Sequence, residues 1–246
     1  MLIGIIQARM SSRRFPGKVL EPLGGRPMLV EQAARAGRSR LDRVVVATST
    51  DSTDDVLADT AEAEGIAVHR GSLDDVLDRV WQAAQACRAR HVVRLTADCP
   101  LIDHRVIDAV VARHLDDCAD YTSNTLVRTY PDGQDVEVVR IEALDAARRE
   151  AARPYDREHV TPFIYERPGR FRLASVESSA DLSAFRWTVD YPEDLALVRE
   201  MFDRLSAATP DFGLAEMLEL CAERPELGRL NAKYNAYLAQ SQKADG

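Results

Sequence analysis

Four cations fall within one short stretch. After the apolar run Leu2–Ile6 the chain reads QARMSSRRFPGK, with Arg9, Arg13, Arg14 and Lys18 set among Ser11, Ser12, Pro16 and Gly17. Turn amides and cations together form a concavity suited to phosphate. Gly17 permits a close backbone approach, Lys18 supplies a point charge, and the arginines supply planar forks. The pattern is not a Walker A loop: Val19, not Ser or Thr, follows Lys18. It reads as a different phosphate loop, for a nucleoside triphosphate. A solvated basic loop is the alternative, and the position of the cluster directly after a buried strand weighs against it.

Two acids follow later apolar runs. RLTADCPLID sets Asp98 just past a strand, and WTVDYPEDL sets Asp190 before a helix opened by Pro192. A carboxylate in such a place suits a hard cation such as Mg²⁺ between phosphate oxygens, and two of them could converge on one ion. A helix N-cap is the competing reading for Asp190. In HRGSLDDVLDR, helix capping accounts for Ser72 and Asp74 without any function. In SNTLVRTYPDGQDVEVV, Pro131-Asp132-Gly133 signals a turn. Asp135 and Glu137 alternate with valines, so they share one face of a strand, where they are either functional or solvated. The cysteines, Cys87, Cys99, Cys118 and Cys221, form no CxxC pair and no zinc spacing. Free thiols in a reducing cytoplasm fit them. No histidine clusters with a nucleophile, so serine- or cysteine-type hydrolysis has no support.

The elements that must position these residues alternate. Strands are expected at Leu2–Ile6, Arg43–Ser49, Ile66–His69 and His91–Thr96, and helices at Pro27–Arg38, Asp54–Ala63, Asp74–Cys87 and Arg105–Leu115. This is the pattern of an α/β fold with a mostly parallel, doubly wound sheet. Ligands in such sheets lie beyond the carboxyl ends of the strands, where both polar clusters fall. Beyond Asp120 the alternation breaks. Strands are expected at Tyr121–Thr125, Val136–Arg140, Phe171–Val176 and Phe185–Val189, with helices at Ile141–Ala152, Arg157–Tyr165, Pro192–Ala207 and Phe212–Glu223. One domain over 1–240 is expected, with an inserted β-rich lobe at about 121–180 and a frayed tail at 241–246. With 46% apolar residues, a net charge of −8 and no long apolar run, neither nucleic acid nor membrane is an expected partner. The short first apolar run is not a signal peptide.

The basic stretch resembles the signature loop QARxxSxRxPGK of the cytidylyltransferases that activate acidic sugars, the acylneuraminate and 3-deoxy-manno-octulosonate cytidylyltransferases. The similarity is greatest to the branch named after spore coat polysaccharide biosynthesis protein F. Gln7, Ala8, Arg9, Ser12, Arg13, Pro16, Gly17 and Lys18 match it. The resemblance implies a Rossmann-like nucleotide-diphospho-sugar transferase fold and a triphosphate held by Arg9 and Lys18, with Ser12 in the same loop. It also covers TGDxPxID and VDxPEDL, which imply Asp98 and Asp190 as metal ligands, although Ala97 stands where glycine is usual. RGxxxDVLxR implies Arg70, Gly71, Asp75 and Arg79 near the nucleotide base, and Thr96 joins the nucleotide set. TYPxGxDVEV and REHVTPFIY imply acceptor contacts from Asn124, Arg128, Tyr130, Asp135, Glu137, Arg157 and His159. The similarity spans about residues 1–200, and a fainter likeness continues into LNAKYNAYL.

The implied activity is transfer of CMP from CTP to a hydroxyl of an acidic sugar in surface-polysaccharide or related biosynthesis. Pyrophosphate would leave, with Mg²⁺ as cofactor, Arg9, Lys18 and Asp98 as the catalytic groups, and a cytoplasmic homodimer as the working form. CTP rests on the resemblance alone. Three rivals stand beside it: a small phosphonate as acceptor, a nucleotide-sugar-dependent glycosyltransferase, and a nucleotide-binding protein without catalysis. The glycosyltransferase reading lacks its usual Asp-x-Asp motif.

Overall fold

The computed structural model describes residues 1–235. The chain opens with β1 (Leu2–Gln7), a small hairpin of β2 (Pro22–Leu23) and β3 (Arg26–Pro27), and α1 (Met28–Ala36). It continues through β4 (Arg43–Ser49), α2 (Asp55–Ala63), β5 (Ala67–Gly71), α3 (Val76–Ala86), β6 (His91–Thr96) and α4 (His104–Asp116). Then follow β7 (Tyr121–Ser123), β8 (Glu137–Arg140), α5 (Ile141–Glu150), α6 (Pro154–His159), α7 (Pro162–Tyr165), β9 (Leu173–Ser175), α8 (Pro192–Ala208) and α9 (Leu214–Glu223). The main sheet has the order β5-β4-β1-β6-β8-β7-β9. The first four are mutually parallel, and β8 runs antiparallel to both β6 and β7. This is the α/β, mostly parallel, doubly wound arrangement expected from the alternation.

The alternation of side chains in the strands divides the core. Ile3 and Ile5 of β1 face α3 and α5, packing with Val80, Ala84 and Leu144. Ile6 of β1 faces the opposite side, with Leu29 of α1, Leu57 of α2 and Val110 of α4. Strands covered on both faces read as continuous apolar runs, which explains why LIGII and RVVVATS do so. A third cluster around α8 and α9 buries Trp187 and Phe212. Segment 121–180 supplies β7, β8 and β9 to the same sheet.

Two expected elements differ. Arg157–Tyr165 is not one helix: α6 ends at His159, Val160 takes φ 73°, and α7 restarts with Pro162. A β-branched residue at positive φ is strained, and Pro162 cannot donate to a continuing helix. Phe185–Val189 is extended but joins no strand. Its amides go to separate places, Trp187 to the Asp132 carbonyl at 2.7 Å and Val189 to the Asp98 carbonyl at 2.8 Å. The expected tail at 241–246 lies outside the described residues.

Candidate active site

The basic loop leaves the carboxyl end of β1. Pairing with β4 extends one residue beyond the strand, where the Ala8 amide donates to the Ala47 carbonyl at 3.1 Å. The loop then closes on itself: the Met10 carbonyl accepts from the amides of Ser12 and Gly17, both at 2.9 Å. Gly17 adopts φ 76°, a left-handed turn that glycine takes without a Cβ penalty. That turn sends Lys18 inward, so that its side chain is only 9% exposed.

Lys18 is where the two distant acids meet. Its Nζ donates to the Val189 carbonyl at 2.6 Å and to Asp190 Oδ1 at 3.0 Å, and lies 3.4 Å from Asp98 Oδ2. Asp190 also meets Arg14 at 2.9 Å and the buried Arg186 at 3.2 Å. Burial pushes the Asp190 carboxyl up, but Lys18, Arg14 and Arg186 outweigh it and hold the group below the ordinary carboxylate range. Asp190 is not the cap of α8. Tyr191 is the cap residue, and Asp194, two residues into the helix from Pro192, reaches back with Oδ2 to accept the amides of Asp190 and Tyr191. The metal and cap readings of Asp190 separate on this observation.

A cleft of about 510 Å³ runs along the loop, bordered by Gln7, Ala8, Arg9, Ser12, Arg13, Lys18, Arg79, Thr96 and Asp98. Beyond Thr96 lies a second cavity of about 480 Å³, bordered by Arg94, Arg128, Asp135, Glu137, Tyr155, His159, Thr161 and Tyr165. His159 borders both. Thus Arg9, Ser12, Arg13, Lys18, Thr96 and both acids are brought together, and Arg128, Asp135, Glu137 and His159 gather beside them.

Other sequence candidates have other surroundings. Arg70 turns away from the cleft and holds the carbonyls of Ser49 and Asp51 and the carboxylate of Asp55. Asp75 caps α3, accepting the Asp78 amide at 2.9 Å, and pairs with Arg157 at 3.3 Å. Arg157 also donates to the Ala151 carbonyl and borders a neighbouring cavity with Arg9 and Arg13. Arg79 is buried at the floor of the cleft, with NH1 on the Ser72 carbonyl at 2.6 Å. Burial lowers its guanidinium to about 10. Gly71 makes room for it, since a Cβ there would lie 3.0 Å from Arg79 Cγ. Asn124 is buried, and its amide spans the Gln134 carbonyl and the Val136 amide, stapling the turn. Tyr130 packs on the apolar layer beneath α4. Glu137 is buried and satisfied by Tyr121, Thr161 and Arg94, so it anchors the cavity wall. Arg128 grips Asp135 with two hydrogen bonds, 3.2 and 2.9 Å. Burial pushes the Asp135 carboxyl up against the pull of Arg128, and pushes Asp132 up to about 6.

Tyr155, Thr161 and Tyr165 border the second cavity without having been sequence candidates, and two arginines escaped the sequence reading as well. Arg94 stands in the apolar strand HVVRLT and joins Gln7 (Nε to Oε1, 2.8 Å) to Glu137. A lone arginine within such a run was its available signal. Arg186 holds Asp132, Asp190 and Asp194 together, and nothing in the local pattern of FRWTVD marks it. Among the described residues no helix is long and apolar enough to cross a membrane.

A family model described as Cytidylyltransferase matches residues 3–238. Spore coat polysaccharide biosynthesis protein SpsF of Bacillus subtilis is 34% identical over 234 residues, covering 92% of this chain and 95% of that protein. A 3-deoxy-manno-octulosonate cytidylyltransferase of Solibacter usitatus is 32% identical, covering 85% of this chain and 90% of that protein. A solved cytidylyltransferase from Leptospira borgpetersenii superposes with a TM-score of 0.87 at 30% identity, covering 92% of this chain and 95% of that one. With a family model and relatives that match along nearly its whole length, the chain belongs to the cytidylyltransferase family.

Proposed function

We propose that the protein transfers CMP from CTP to a hydroxyl of an acidic sugar, releasing pyrophosphate, in the making of a surface polysaccharide or a related sugar. The observation that carries the reading is the meeting of Asp98 and Asp190 at Lys18, beside the basic loop and at the carboxyl edge of the sheet. The sugar-acid acceptor is taken from the likeness to the 3-deoxy-manno-octulosonate enzyme.

In this reading the triphosphate lies along the loop. Arg9 and Lys18 take up charge on the departing pyrophosphate, and Arg13, exposed at the cleft, adds a further fork. The acceptor occupies the second cavity, where Arg128, Asp135 and His159 orient it so that its hydroxyl faces the α-phosphate in line. The new bond joins the acceptor oxygen to that phosphorus, and the bond to the β-phosphate bridging oxygen breaks.

The residues fit a divalent cation of the Mg²⁺ kind, which takes one or two protein carboxylates and completes its shell with substrate phosphates and water. Among the described residues no group of three or more His, Cys, Asp or Glu makes an all-protein cage. Asp98 and Asp190 would hold the ion, which would polarise the α-phosphate and steady the attacking oxygen. A homodimer formed through the 121–180 lobe, in the cytoplasm, completes the proposal.

The test is pyrophosphate release with Mg²⁺, each of the four nucleoside triphosphates being offered with a panel of 2-keto-3-deoxy sugar acids and small phosphonates. Release with CTP and a sugar acid is expected. Release only with a phosphonate would replace the acceptor, and CTP binding without release from any acceptor would remove the enzymatic reading.

A further inference from the structure

We propose that Asp54 is a positioning residue that fixes the phosphate loop from the turn after β4; the proposal rests on the reading of the 9–18 loop as a triphosphate site. The sequence marks Asp54 only as part of a helix start, in TSTDSTDD. In the structure its side chain has a different task. Asp54 is 0% exposed. Its Oδ1 accepts the amide of Met10 at 2.7 Å, across 44 residues of chain. Its Oδ2 accepts the amide of Ser49 at 3.2 Å and the Ser49 hydroxyl.

Met10 is the pivot of the loop. The β1–β4 ladder ends with the Ala8 amide on the Ala47 carbonyl, so the next inward-facing amide, that of Met10, needs another acceptor. Asp54 supplies it. The carbonyl of the same residue then gathers the amides of Ser12 and Gly17 and so closes the turn that carries Arg9, Arg13 and Lys18. The two peptide groups that flank the Met10 Cα therefore set the loop: the buried carboxylate holds the first through its nitrogen, and the second closes the turn through its carbonyl. The carboxylate is itself braced: Ser49 ends β4, and its carbonyl is held by Arg70 Nε at 2.8 Å. This gives Arg70 a place in the site without contact with the cleft. A buried carboxylate is costly unless hydrogen-bonded, and here its hydrogen bonds join the loop to the sheet.

The test compares Asp54→Ala and Asp54→Asn with the wild type by calorimetric titration of inorganic pyrophosphate and by hydrogen–deuterium exchange of peptides covering residues 7–18. Pyrophosphate is the probe because its binding requires neither the acceptor nor turnover. Asp54→Ala is expected to weaken pyrophosphate about tenfold, the scale of one hydrogen bond to a charged group, and to speed exchange in the loop. Asp54→Asn keeps an oxygen for Met10 and is expected to fall between the two, which distinguishes positioning from bulk. A lowered melting temperature with unchanged pyrophosphate affinity and unchanged loop exchange would show a merely structural role and overturn the proposal. If Asp54→Ala does not fold, Asp54→Asn decides alone: wild-type affinity and exchange would overturn it. A wild-type chain that binds CTP but not pyrophosphate would instead overturn the phosphate-loop reading beneath it.

Discussion

Replacing the two acids one at a time should separate rate from stability. Asp98 offers its side chain to Lys18 at 3.4 Å and is 28% exposed, and Lys18 keeps Asp190 and the Val189 carbonyl without it. The structural bonds of Asp98 are made by its backbone carbonyl, which accepts from Val189 and Thr188. Asp98→Asn therefore removes one partly solvated ion pair, worth up to about 1 kcal/mol, and shifts Tm by roughly 2–4 °C at most in a chain of this size. Asp190 is different. It touches Lys18, Arg14 and Arg186, and the side chains of Lys18 and Arg186 are 9% and 6% exposed. Asp190→Asn leaves two buried cations undercompensated. Breaking a buried pair outright costs about 3–5 kcal/mol, and because Arg186 keeps Asp194 and Asp132 the expected loss is about 2–3 kcal/mol, or roughly 5–10 °C in Tm. Both variants should lose about 10²–10³ in kcat, as does removal of one electrostatic stabiliser of a developing charge. Steady-state pyrophosphate release and calorimetric melting of the same preparations measure the two effects. Equal melting losses for the two variants, or full activity in Asp98→Asn, would refute the reasoning.

Three further outcomes follow from particular contacts. His114 is fully buried against His91 and Thr122, and burial, aided by His91, lowers its imidazole to about 4. It stays neutral when folded, whereas the unfolded chain binds its proton below about 6.5, so stability is lost as pH falls from about 6.5 to about 4, by up to about 3 kcal/mol. Urea unfolding at pH 7.5 and 4.5 should show this loss in the wild type and a smaller one in His114→Gln. Gly133 has φ 108°, and a Cβ there would lie 2.7 Å from the Thr188 nitrogen; Gly133→Ala should cost about 2 kcal/mol or more in melting experiments. Cys99 is buried with its thiol pushed well up by burial and by Asp98, while Cys118 is exposed. Iodoacetamide at neutral pH should label Cys118 and spare Cys99 by mass spectrometry.

The parallel half of the fold was legible because its three inner strands are covered on both faces and each helix has one apolar stripe, so LIGII, RVVVATS and HVVRLT declare themselves, while the edge strand β5 is only partly buried. The second half was less so. FRWTV has strand composition, yet its backbone bonds to the Asp132 turn and to Asp98, a choice made by tertiary contacts and not by propensity. The meeting of Asp98 and Asp190 was legible as two acids after two apolar runs, although only the first of those runs is a strand. The lysine that joins them was read only as a phosphate ligand, because no local pattern shows that Gly17 turns it inward. Asn124, Asp75 and Arg70 have the residue types of a binding site, but hydrogen-bonding side chains serve turns and caps equally well, and spacing alone does not separate the two uses. Arg94 and Arg186 show the converse: an arginine whose partners are far away in the chain leaves at most a lone charge in an apolar run.

The most direct measurement of the central claim is to follow the label of α-³²P-CTP with Mg²⁺ and a 2-keto-3-deoxy sugar acid. The account predicts that the labelled phosphorus moves onto the acceptor as a CMP phosphodiester, one for each pyrophosphate released. Label recovered only as free CMP, or retained in CTP at saturating acceptor across the sugar-acid panel, would contradict it.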